Sequence, residues 1–444
     1  MHDYLKWYWR TEDFSSVERR KQLVKTPKAI FLIASAYAIV FLFLALAYLV
    51  FWTTPIVSLT LIVLAPYMLA YAIICPVFLV KIVQKTFEQV LIERARRKLA
   101  KHQGIKIAIA GSFGKTSMRE ILKTILSEGK EVSAPPFSYN TPIGICRFIN
   151  GLVGDEDILI FELGEYYAGD VRKLCTLIDP QIGIITGVNE AHLEKFGTLA
   201  NTASTIFELA QYLKEKPTYV NGENELARNN ASEKHIMYSS TGAGNCRVEN
   251  PRTDLNGTSF TIIKGDTRIP VNSKLLGLHN IGPLMASAHI AYQLGLTDKQ
   301  VQAGIGKTHA FDHRLLPSED GSGIITIDDS YNGNPDGVHA IIDFLSSIKG
   351  HRRWYVTPGL VEMGSRTADV HVEIGRQLAR AGIERIVLIK NSVTPHIEEG
   401  LKGAGYAGEI LWFQDALQAY AALPHLTVKG DIVLLQNDWP DQYV

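Results

Sequence analysis

The chain has few cysteines, and none of them is spaced for a metal centre or a redox pair. Four occur among 444 residues, at positions 75, 146, 175 and 246, without a C-x-x-C pattern. Sparse, unpaired cysteines are typical of reducing compartments, where disulfides are rare. The sequence therefore argues against a disulfide-stabilised secreted module, and we expect each cysteine to be a buried structural side chain.

The chain also lacks a net charge. Lys and Arg together number 45, and so do Asp and Glu. Without an overall basic field, nothing in the composition argues for binding to nucleic acid, and we expect no such partner.

The largest local absence is that of charge between residues 29 and 80. These 52 residues contain no Asp, Glu, Lys or Arg, and Pro55 divides them into apolar runs of about 29–51 and 56–80. Because about 20 helical residues cross a hydrocarbon core, we predict a transmembrane hairpin, with two buried core helices as the alternative. The runs are too long for a cleavable signal peptide.

Basic residues flank the charge-free region on both sides, and the turn between the runs carries none. By the positive-inside rule, both ends face the cytoplasm. We therefore predict a multi-pass protein of the cytoplasmic (inner) membrane whose catalytic domains lie in the cytoplasm, with the lipid bilayer as a partner. The predicted segments are a basic and aromatic cytoplasmic stretch (1–28), the hairpin (29–80) and a stalk helix (81–104).

From residue 105 onward, short apolar runs rich in β-branched residues alternate with helical patterns, which predicts an α/β fold. The first series gives a central domain (105–312) with strands near 105–110, 158–161, 182–186 and 219–221, and an antiparallel excursion near 247–271. The second series gives a C-terminal Rossmann-like domain (313–444), with strands near 324–327, 354–357, 385–389, 410–413 and 432–435. A hinge is expected near 311–323.

A glycine turn between a strand and a helix is the strongest local motif. It runs Ile107-Ala-Ile-Ala-Gly111-Ser-Phe-Gly114-Lys115-Thr116-Ser117. Because glycine has no Cβ, backbone N–H groups can close around phosphate oxygens, which the helix dipole also attracts. The motif predicts a phosphate loop in which Lys115 reaches the β- and γ-phosphates and Thr116 holds Mg²⁺. Ile109 replaces the usual first glycine, so an ordinary helix start is the alternative.

Polar side chains follow two other strands of the predicted central sheet. Glu162 comes directly after the run at 158–161, and His192 comes after the run at 182–186. Ligands of open parallel sheets bind at the carboxyl ends of the strands. Glu162 is therefore a candidate metal ligand, with a solvated strand-end acid as the alternative. His192 is a candidate for a metal or phosphate role.

These residues belong to a longer series that resembles one known family. In chain order the series is Gly111-x-x-Gly114-Lys115-Thr116, Asn140-x-x-x-Gly144, Glu162-x-Gly164, Ala191-His192-Leu193-Glu194-x-Phe196-Gly197, Asn221-Gly-Glu-Asn224, Gly277-x-His279-Asn280, His313-Arg314, Asp328-Asp329-Ser330-Tyr331-Asn332-Gly-Asn334-Pro335 and Gly359-x-x-Glu362-Met363-Gly364. It is similar to the Mur ligases, above all to the branch that joins D-alanyl-D-alanine to a UDP-muramoyl tripeptide. The likeness covers about residues 105–435.

The resemblance implies an amide ligase that uses ATP and Mg²⁺ and passes through an acyl phosphate. It assigns catalytic roles to Lys115, His192 and Arg314, and metal binding to Thr116, Glu162 and His192. The implied nucleotide contacts are Gly111, Ser112, Gly114, Lys115, Thr116, Ser117, Asn221, Asn224, Asn280, Arg314 and Asp329. The implied substrate contacts are Asn140, Asn332, Asn334 and Glu362.

Two departures from the family affect these expectations. Members commonly carry a carbamylated lysine 14 residues after the metal histidine, where this chain has Ile206. A second Mg²⁺ must then be held differently, and Glu208 is either its ligand or a helix-surface charge. Residues 1–103 show no counterpart of the family's UDP-binding domain.

The missing UDP-binding domain leaves the substrates open. The expected partners are a cell-wall peptide precursor, UDP-linked or lipid-linked, and an amino acid or dipeptide as the amine. Alternative functions are a poly-γ-glutamate-like synthetase, a membrane phosphate-loop ATPase and a non-catalytic scaffold.

Overall fold

The computed structural model describes residues 25–136, 139–189, 196–311, 314–330, 333–361 and 363–437. The chain forms two compact units, one ending at Glu93 and the other beginning at Arg94. The described part of the first unit is helical, and the second unit has the predicted α/β architecture.

The first unit contains an apolar helix that the described residues leave largely uncovered. Helix α1 (Pro27–Phe51) begins after Thr26, whose Oγ1 accepts a hydrogen bond from the Ala29 N–H at 3.1 Å. Helix α2 (Pro55–Ala72) packs on α1, and its Ser58 donates to the Ala47 carbonyl at 2.7 Å. Many other apolar side chains of α1 are exposed; Phe41, for example, is 74% exposed.

The structure supports one of the two predicted membrane spans. Among the described residues, α1 alone has the length and apolar composition to cross a membrane. The second apolar run contributes only a shorter apolar stretch, Pro55–Ala65, and its helix ends at Ala72 before α3 (Ile74–Lys101) begins. Pro76 explains the break, because it has no N–H to donate to the Ala72 carbonyl.

The central domain is built on a ten-stranded sheet in the order β10-β9-β8-β7-β6-β5-β4-β1-β3-β2. Its strands are β1 (Ile105–Ala110), β2 (Val132–Ser133), β3 (Ile158–Glu162), β4 (Ile182–Ile185), β5 (Thr218–Asn221), β6 (Ile236–Ser239), β7 (Gly242–Ala243), β8 (Cys246–Asp254), β9 (Gly257–Lys264) and β10 (Thr267–Ser273). Strands β1 to β6 pair in parallel, and β6 to β10 pair antiparallel. The predicted antiparallel excursion therefore extends the same sheet.

Helices cover this sheet and bury its apolar side chains. They are α4 (Lys115–Leu126), α5 (Pro142–Gly151), α6 (Asp170–Ile178), α7 (Leu199–Ile206), α8 (Glu208–Leu213), α9 (Glu225–Asn230), α10 (Ile281–Gln293) and α11 (Asp298–Lys307). Helix α4 follows β1 and buries Met118, Leu122 and Ile125 against the core. This places the residues that join β1 to α4 at the carboxyl edge of the central strands.

The C-terminal domain has a six-stranded sheet in the order β11-β12-β16-β13-β14-β15. Its elements are β11 (Leu316–Glu319), β12 (Ile325–Asp329), α12 (Pro335–Ser347), β13 (Arg353–Thr357), α13 (Thr367–Ala381), β14 (Arg385–Ile389), α14 (Thr394–Gly403), β15 (Glu409–Phe413), α15 (Ala416–Leu426) and β16 (Ile432–Gln436). All neighbouring strands are parallel except β11, which pairs antiparallel with β12. Strand β11 lies where the sequence predicted only a hinge.

Three of the four cysteines are buried, as expected, and one is not. Cys146, Cys175 and Cys246 lie inside the second unit, whereas Cys75 of α3 is exposed. The expectation was wrong for Cys75, because this residue lies in the first unit, whose described residues do not cover it.

Candidate functional site

The turn between β1 and α4 has the backbone shape of a phosphate loop. Gly111 has φ +151°, and a Cβ added there would collide with Oγ1 of Thr186. Gly114 is the N-cap of α4 in the left-handed conformation, with φ +72°. Both positions favour glycine, and the turn places the backbone next to the N-terminus of α4, where N–H groups and the helix dipole attract anions.

The ammonium group of Lys115 lies at this turn and is paired with a carboxylate. Its Nζ is 2.8 Å and 3.0 Å from the two carboxylate oxygens of Glu165, and it also contacts the Gly111 carbonyl. Glu165 is only 3% exposed. Any anion that binds Lys115 at this turn therefore competes with a buried carboxylate.

Thr116 and Glu162 supply oxygen atoms beside the same turn. The Thr116 hydroxyl donates to Oε2 of Glu162 at 3.1 Å, and Oε1 of Glu162 lies 2.7 Å from a guanidinium nitrogen of Arg119. Burial raises the pKa of Glu162, although the charges of Arg119 and Lys115 oppose that shift.

These oxygens fit Mg²⁺, which prefers oxygen ligands. Their separation of 3.1 Å is near the spacing of neighbouring ligands in an octahedron with Mg–O distances of about 2.1 Å. No group of three or more His, Cys, Asp or Glu gathers for a metal in the part of the chain that the structure describes. Phosphate oxygens and water would have to complete the coordination.

Asn221 and Asn224 position the loop that follows β4. The Asn221 amide donates to the Thr186 carbonyl at 2.9 Å. The Asn224 amide bonds both the N–H and the C=O of Val188, each at 3.1 Å. These bonds hold residues 186–188 beside the phosphate loop, where the Ser112 N–H donates to the Gly187 carbonyl at 2.9 Å.

A cavity of about 360 Å³ opens next to these loops, between the central and C-terminal domains. This volume is in the range of small-molecule and cofactor sites, roughly 300–1,000 Å³. Eight of the residues predicted from the sequence line it: Gly114, Ser117, Asn221, Asn224, Asn280, Arg314, Asp329 and Asn334. The tertiary structure thus collects residues that lie more than 200 positions apart in the chain.

Asp329 and Arg314 line this cavity from the hinge and the C-terminal domain. Asp329 is 5% exposed, and burial raises the pKa of its carboxyl to about 7 against the opposing charge of Arg314. On the central side, burial lowers the pKa of His279 to about 4, so this imidazole is neutral at physiological pH. The Asn280 amide contacts Nε2 of His279 at 3.1 Å and donates to the Leu276 carbonyl at 2.7 Å.

Two of the predicted substrate contacts have structural partners in the described residues. The Asn140 carbonyl accepts from the Gly164 N–H at 2.9 Å, which joins the loop before α5 to the loop after β3. Asn334 is the N-cap of α12, and its Oδ1 accepts from the Gly337 N–H at 3.0 Å. His192, Asn332 and Glu362 lie outside the described residues.

Glu208 has a structural role that neither interpretation of the sequence named. Its Oε1 accepts from the Gly169 N–H at 2.7 Å and its Oε2 from the Arg172 N–H at 2.9 Å. Glu208 therefore caps the N-terminus of α6, which satisfies two N–H groups that the helix cannot bond itself. Ile206 is fully buried, as an apolar core residue.

Three residues at the site were missed in the sequence: Glu165, Arg119 and Asn189. Glu165 pairs with Lys115 and Arg119 pairs with Glu162. Asn189 donates to side chains of the C-terminal domain. Their residue types gave no signal, and the one cue for Glu165 is that it follows the strand-end carboxylate Glu162 by three positions.

Comparison with known proteins agrees with this arrangement. Residues 109–291 match the profile of the Mur ligase middle domain, and residues 313–436 match that of the Mur ligase glutamate ligase domain. The chain belongs to the Mur ligase family.

Similar curated proteins are named as UDP-N-acetylmuramoyl-tripeptide–D-alanyl-D-alanine ligases. The Escherichia coli protein is 28% identical over 289 residues, which are 64% of this chain and 64% of that relative. The Synechocystis protein is 27% identical over 338 residues, or 74% of this chain and 71% of the relative. The chain thus spans less than two thirds of several relatives, including the one from E. coli.

Solved Mur ligase structures share the fold. MurF from Acinetobacter baumannii superposes with a TM-score of 0.70 at 20% identity, covering 79% of this chain and 77% of that one. MurF from Thermotoga maritima in complex with ADP superposes with a TM-score of 0.69 at 23% identity, and the match covers 79% of this chain and 80% of that one. At these identities, the likeness shows that the Mur ligase middle and C-terminal domains have the same fold here.

Proposed function

We propose that this protein is an ATP-dependent amide ligase that forms ADP and extends a cell-wall peptide precursor. The observation that carries the proposal is the cavity between the two domains of the second unit, because residues of the phosphate loop line it together with Arg314 and Asp329. The names of the relatives support D-alanyl-D-alanine as the amine and a UDP-muramoyl tripeptide as the acceptor.

In the proposed reaction, a carboxylate oxygen of the acceptor attacks the γ-phosphorus of ATP. The bond to the β,γ-bridging oxygen breaks, and ADP leaves. The amine nitrogen then attacks the acyl carbon and loses a proton, while inorganic phosphate leaves with the C–O bonding electrons. Negative charge accumulates on the transferred group, so catalysis depends on positioned cations.

The chain supplies groups suited to this task. Lys115 binds phosphate oxygens after it leaves Glu165, and N–H groups of the glycine turn surround them. Thr116 and Glu162 would hold Mg²⁺, which neutralises phosphate charge when bound. Arg314 and Asp329 line the cavity from the hinge and the C-terminal domain, and they bind the nucleotide in this proposal. His192 stays a proposed metal ligand.

We also propose that α1 attaches the protein to the cytoplasmic membrane and that the second unit lies in the cytoplasm. Support comes from the 25-residue α1, whose single charged residue is Lys28 in its first turn, and from its exposed apolar side chains. The basic residues that follow the charge-free region favour a cytoplasmic position for the second unit. We also propose that the central domain begins at residue 105, after the stalk, and that the C-terminal domain begins at residue 313.

A substrate panel tests the proposed activity. The full chain in detergent or nanodiscs is incubated with ATP, Mg²⁺, amino acids or dipeptides, and either a UDP-muramoyl tripeptide or a membrane lipid extract. ADP release that requires both acceptor and amine, together with a new amide in the mass spectrum, supports a ligase. ADP release without acceptor would instead indicate a phosphate-loop ATPase, and glutamate polymerisation would indicate a polyamino-acid synthetase.

The same panel identifies the form of the acceptor. A membrane-attached enzyme is expected to prefer a lipid-linked precursor, because anchoring raises the local concentration of a membrane-held substrate. A clear preference for the soluble UDP-linked form would remove that part of the proposal.

Attachment has a separate test. After alkaline carbonate extraction the full chain should remain in the membrane pellet, and a chain lacking residues 27–51 should not. Reporter fusions before Pro27 and after Lys101 should both give cytoplasmic signals if the segment crosses twice. A cytoplasmic signal at only one end would establish a single crossing, and a soluble full chain would exclude attachment.

A further inference from the structure

Asn189 connects three parts of the second unit that are distant in sequence. Its backbone N–H donates to Oγ of Ser112 in the phosphate loop at 3.3 Å. Its side-chain Nδ2 donates to Oδ1 of Asn334 and to Oδ2 of Asp336, both at 3.0 Å. Asn334 and Asp336 belong to the C-terminal domain, so one buried amide joins that domain to the phosphate loop.

The central side of this junction is firmly held. Asn224 bonds both backbone groups of Val188, the residue directly before Asn189. The Ser112 N–H in turn donates to the Gly187 carbonyl. Residues 187–189 therefore move together with the phosphate loop.

The two side chains that accept hydrogen bonds from Asn189, those of Asn334 and Asp336, lie at the start of α12. Asn334 Oδ1 accepts from the Gly337 N–H as the cap of this helix, and Asp336 lies in its first turn. The next turns of α12 form part of the cavity wall through Val338 and Ile341. A displacement at the start of α12 therefore displaces one wall of the proposed nucleotide site.

We propose that Asn189 is a positioning residue that holds the C-terminal domain closed on the phosphate loop and thereby couples nucleotide binding to domain closure. The Asn189 amide donates to two acceptors, the side chains of Asn334 and Asp336. The bond to Asp336 is the stronger of the two, because its acceptor is a charged carboxylate. Asn189 is 3% exposed, so water does not readily replace these bonds. The proposal rests on the proposed nucleotide site, and only its kinetic test needs ligase activity.

A series of variants that exchange the amide and the carboxylate tests the contact. Asn189→Asp replaces the donor with a carboxylate facing Asp336, so repulsion should open the junction. Asp336→Asn keeps an acceptor oxygen, so it should weaken domain closure less than Asn189→Asp does. In the double variant N189D/D336N, the new amide at 336 can donate to the new carboxylate at 189, which should partly restore closure. Asn230→Asp makes the same change on the exposed end of α9 and serves as the control.

The primary measurement is the distance between the two domains. Spin labels are placed on Glu233→Cys in the central domain and Lys349→Cys in the C-terminal domain, both exposed, in a Cys75→Ser background. With ADP bound, the parent protein and N230D should give one short distance distribution. N189D should shift it to longer distances, and N189D/D336N should shift it back. If N189D left the distribution unchanged, the proposal would be wrong.

Kinetics gives a second, independent measurement. Loss of one or two buried hydrogen bonds typically corresponds to about tenfold in an equilibrium, so N189D should lower kcat for ADP formation by about tenfold or more. The KM for ATP should change less, because ATP can still bind the phosphate loop in the open form. If N189D lowered only the thermal stability and left the distances and kcat unaltered, Asn189 would be a packing residue and the proposal would be wrong. If no variant or parent forms ADP, the ligase proposal fails while the distance result still decides this one.

Discussion

The two sides of the cavity are built differently. The central side is a network of direct contacts around one loop: Lys115 with Glu165, Thr116 with Glu162, and Glu162 with Arg119. The C-terminal side contributes Asp329, Asn334 and Asp336, which reach the site only through the packing of one domain on the other. The central side is therefore preformed within a single sheet, whereas the C-terminal side depends on domain position.

Removing the phosphate-loop ammonium should have the largest effect and tests whether the central side binds the nucleotide. Lys115→Ala should lower ADP formation by about 1,000-fold, because the developing charge on the phosphate loses its positioned cation. Lys123→Ala, on the same helix, is the control. Measurable ATP turnover at the parent rate in Lys115→Ala would show that the phosphate assignment is wrong.

Asp329 tests the C-terminal side through pH. Burial raises the pKa of its carboxyl to about 7 in the folded protein, above its usual value near 3.8, so folding favours the protonated acid. The stabilising contribution is complete below about pH 4 and is lost as the pH rises through 7, with a slope of at most about 1.4 kcal/mol per pH unit. Asp329→Asn removes this titration.

From about pH 4 to 7 the parent should therefore lose free energy of unfolding relative to Asp329→Asn, and above pH 7 the difference between the two proteins should level off. Chemical denaturation of the nucleotide-free protein at a series of pH values measures it. Parallel pH profiles for variant and parent would show that Asp329 ionises normally and that this side of the cavity is more hydrated than its burial implies.

Glu165 tests how strongly the preformed network holds Lys115. In Glu165→Gln the ion pair becomes a weaker contact between the ammonium group and a neutral amide, so Lys115 should transfer to phosphate oxygens more easily. We expect ADP to bind up to about tenfold more tightly, as measured by calorimetry with Mg²⁺ present. Weaker binding would mean that the Glu165 carboxylate supports the bound metal nucleotide instead of competing with it.

The smallest expected effect concerns Glu208 and tests whether this residue stabilises the fold without taking part in metal binding. Glu208→Ala should lower the free energy of unfolding by about 1–2 kcal/mol, because two N–H groups at the start of α6 lose their acceptors. The Mg²⁺ dependence of ADP formation should not change. Glu215→Ala, an exposed position nearby in sequence, provides the comparison, and a selective rise in the Mg²⁺ requirement of Glu208→Ala would contradict the capping role.

Much of the second unit was predictable because its strands are short apolar runs between helical patterns. The predicted strand at 385–389 has the observed limits of β14, and β1 agrees as well. Strand β11 could not be predicted, because Leu316-Pro-Ser-Glu has little strand character and forms only by pairing with β12. The second membrane span was overpredicted, because composition alone does not show where Pro76 interrupts a helix.

The candidate site shows the same division. Gly111, Gly114, Lys115 and Thr116 form a local motif, since one turn of backbone brings them together. Glu165 and Asn189 were missed, because their partners are 50 residues or more away in the chain. The role of Glu208 was decided only when the structure placed it under the first turn of α6.

The amino-acid sequence by itself determined the phosphate loop, the alternation of strands and helices, and the charge-free region, because each depends on residues that are neighbours along the chain. The tertiary structure alone decided which carboxylate pairs with Lys115, which asparagine bridges the domains, and that Arg314 and Asp329 line one cavity with Asn221. These relations depend on how sheets and helices pack, and packing joins side chains that local patterns cannot relate.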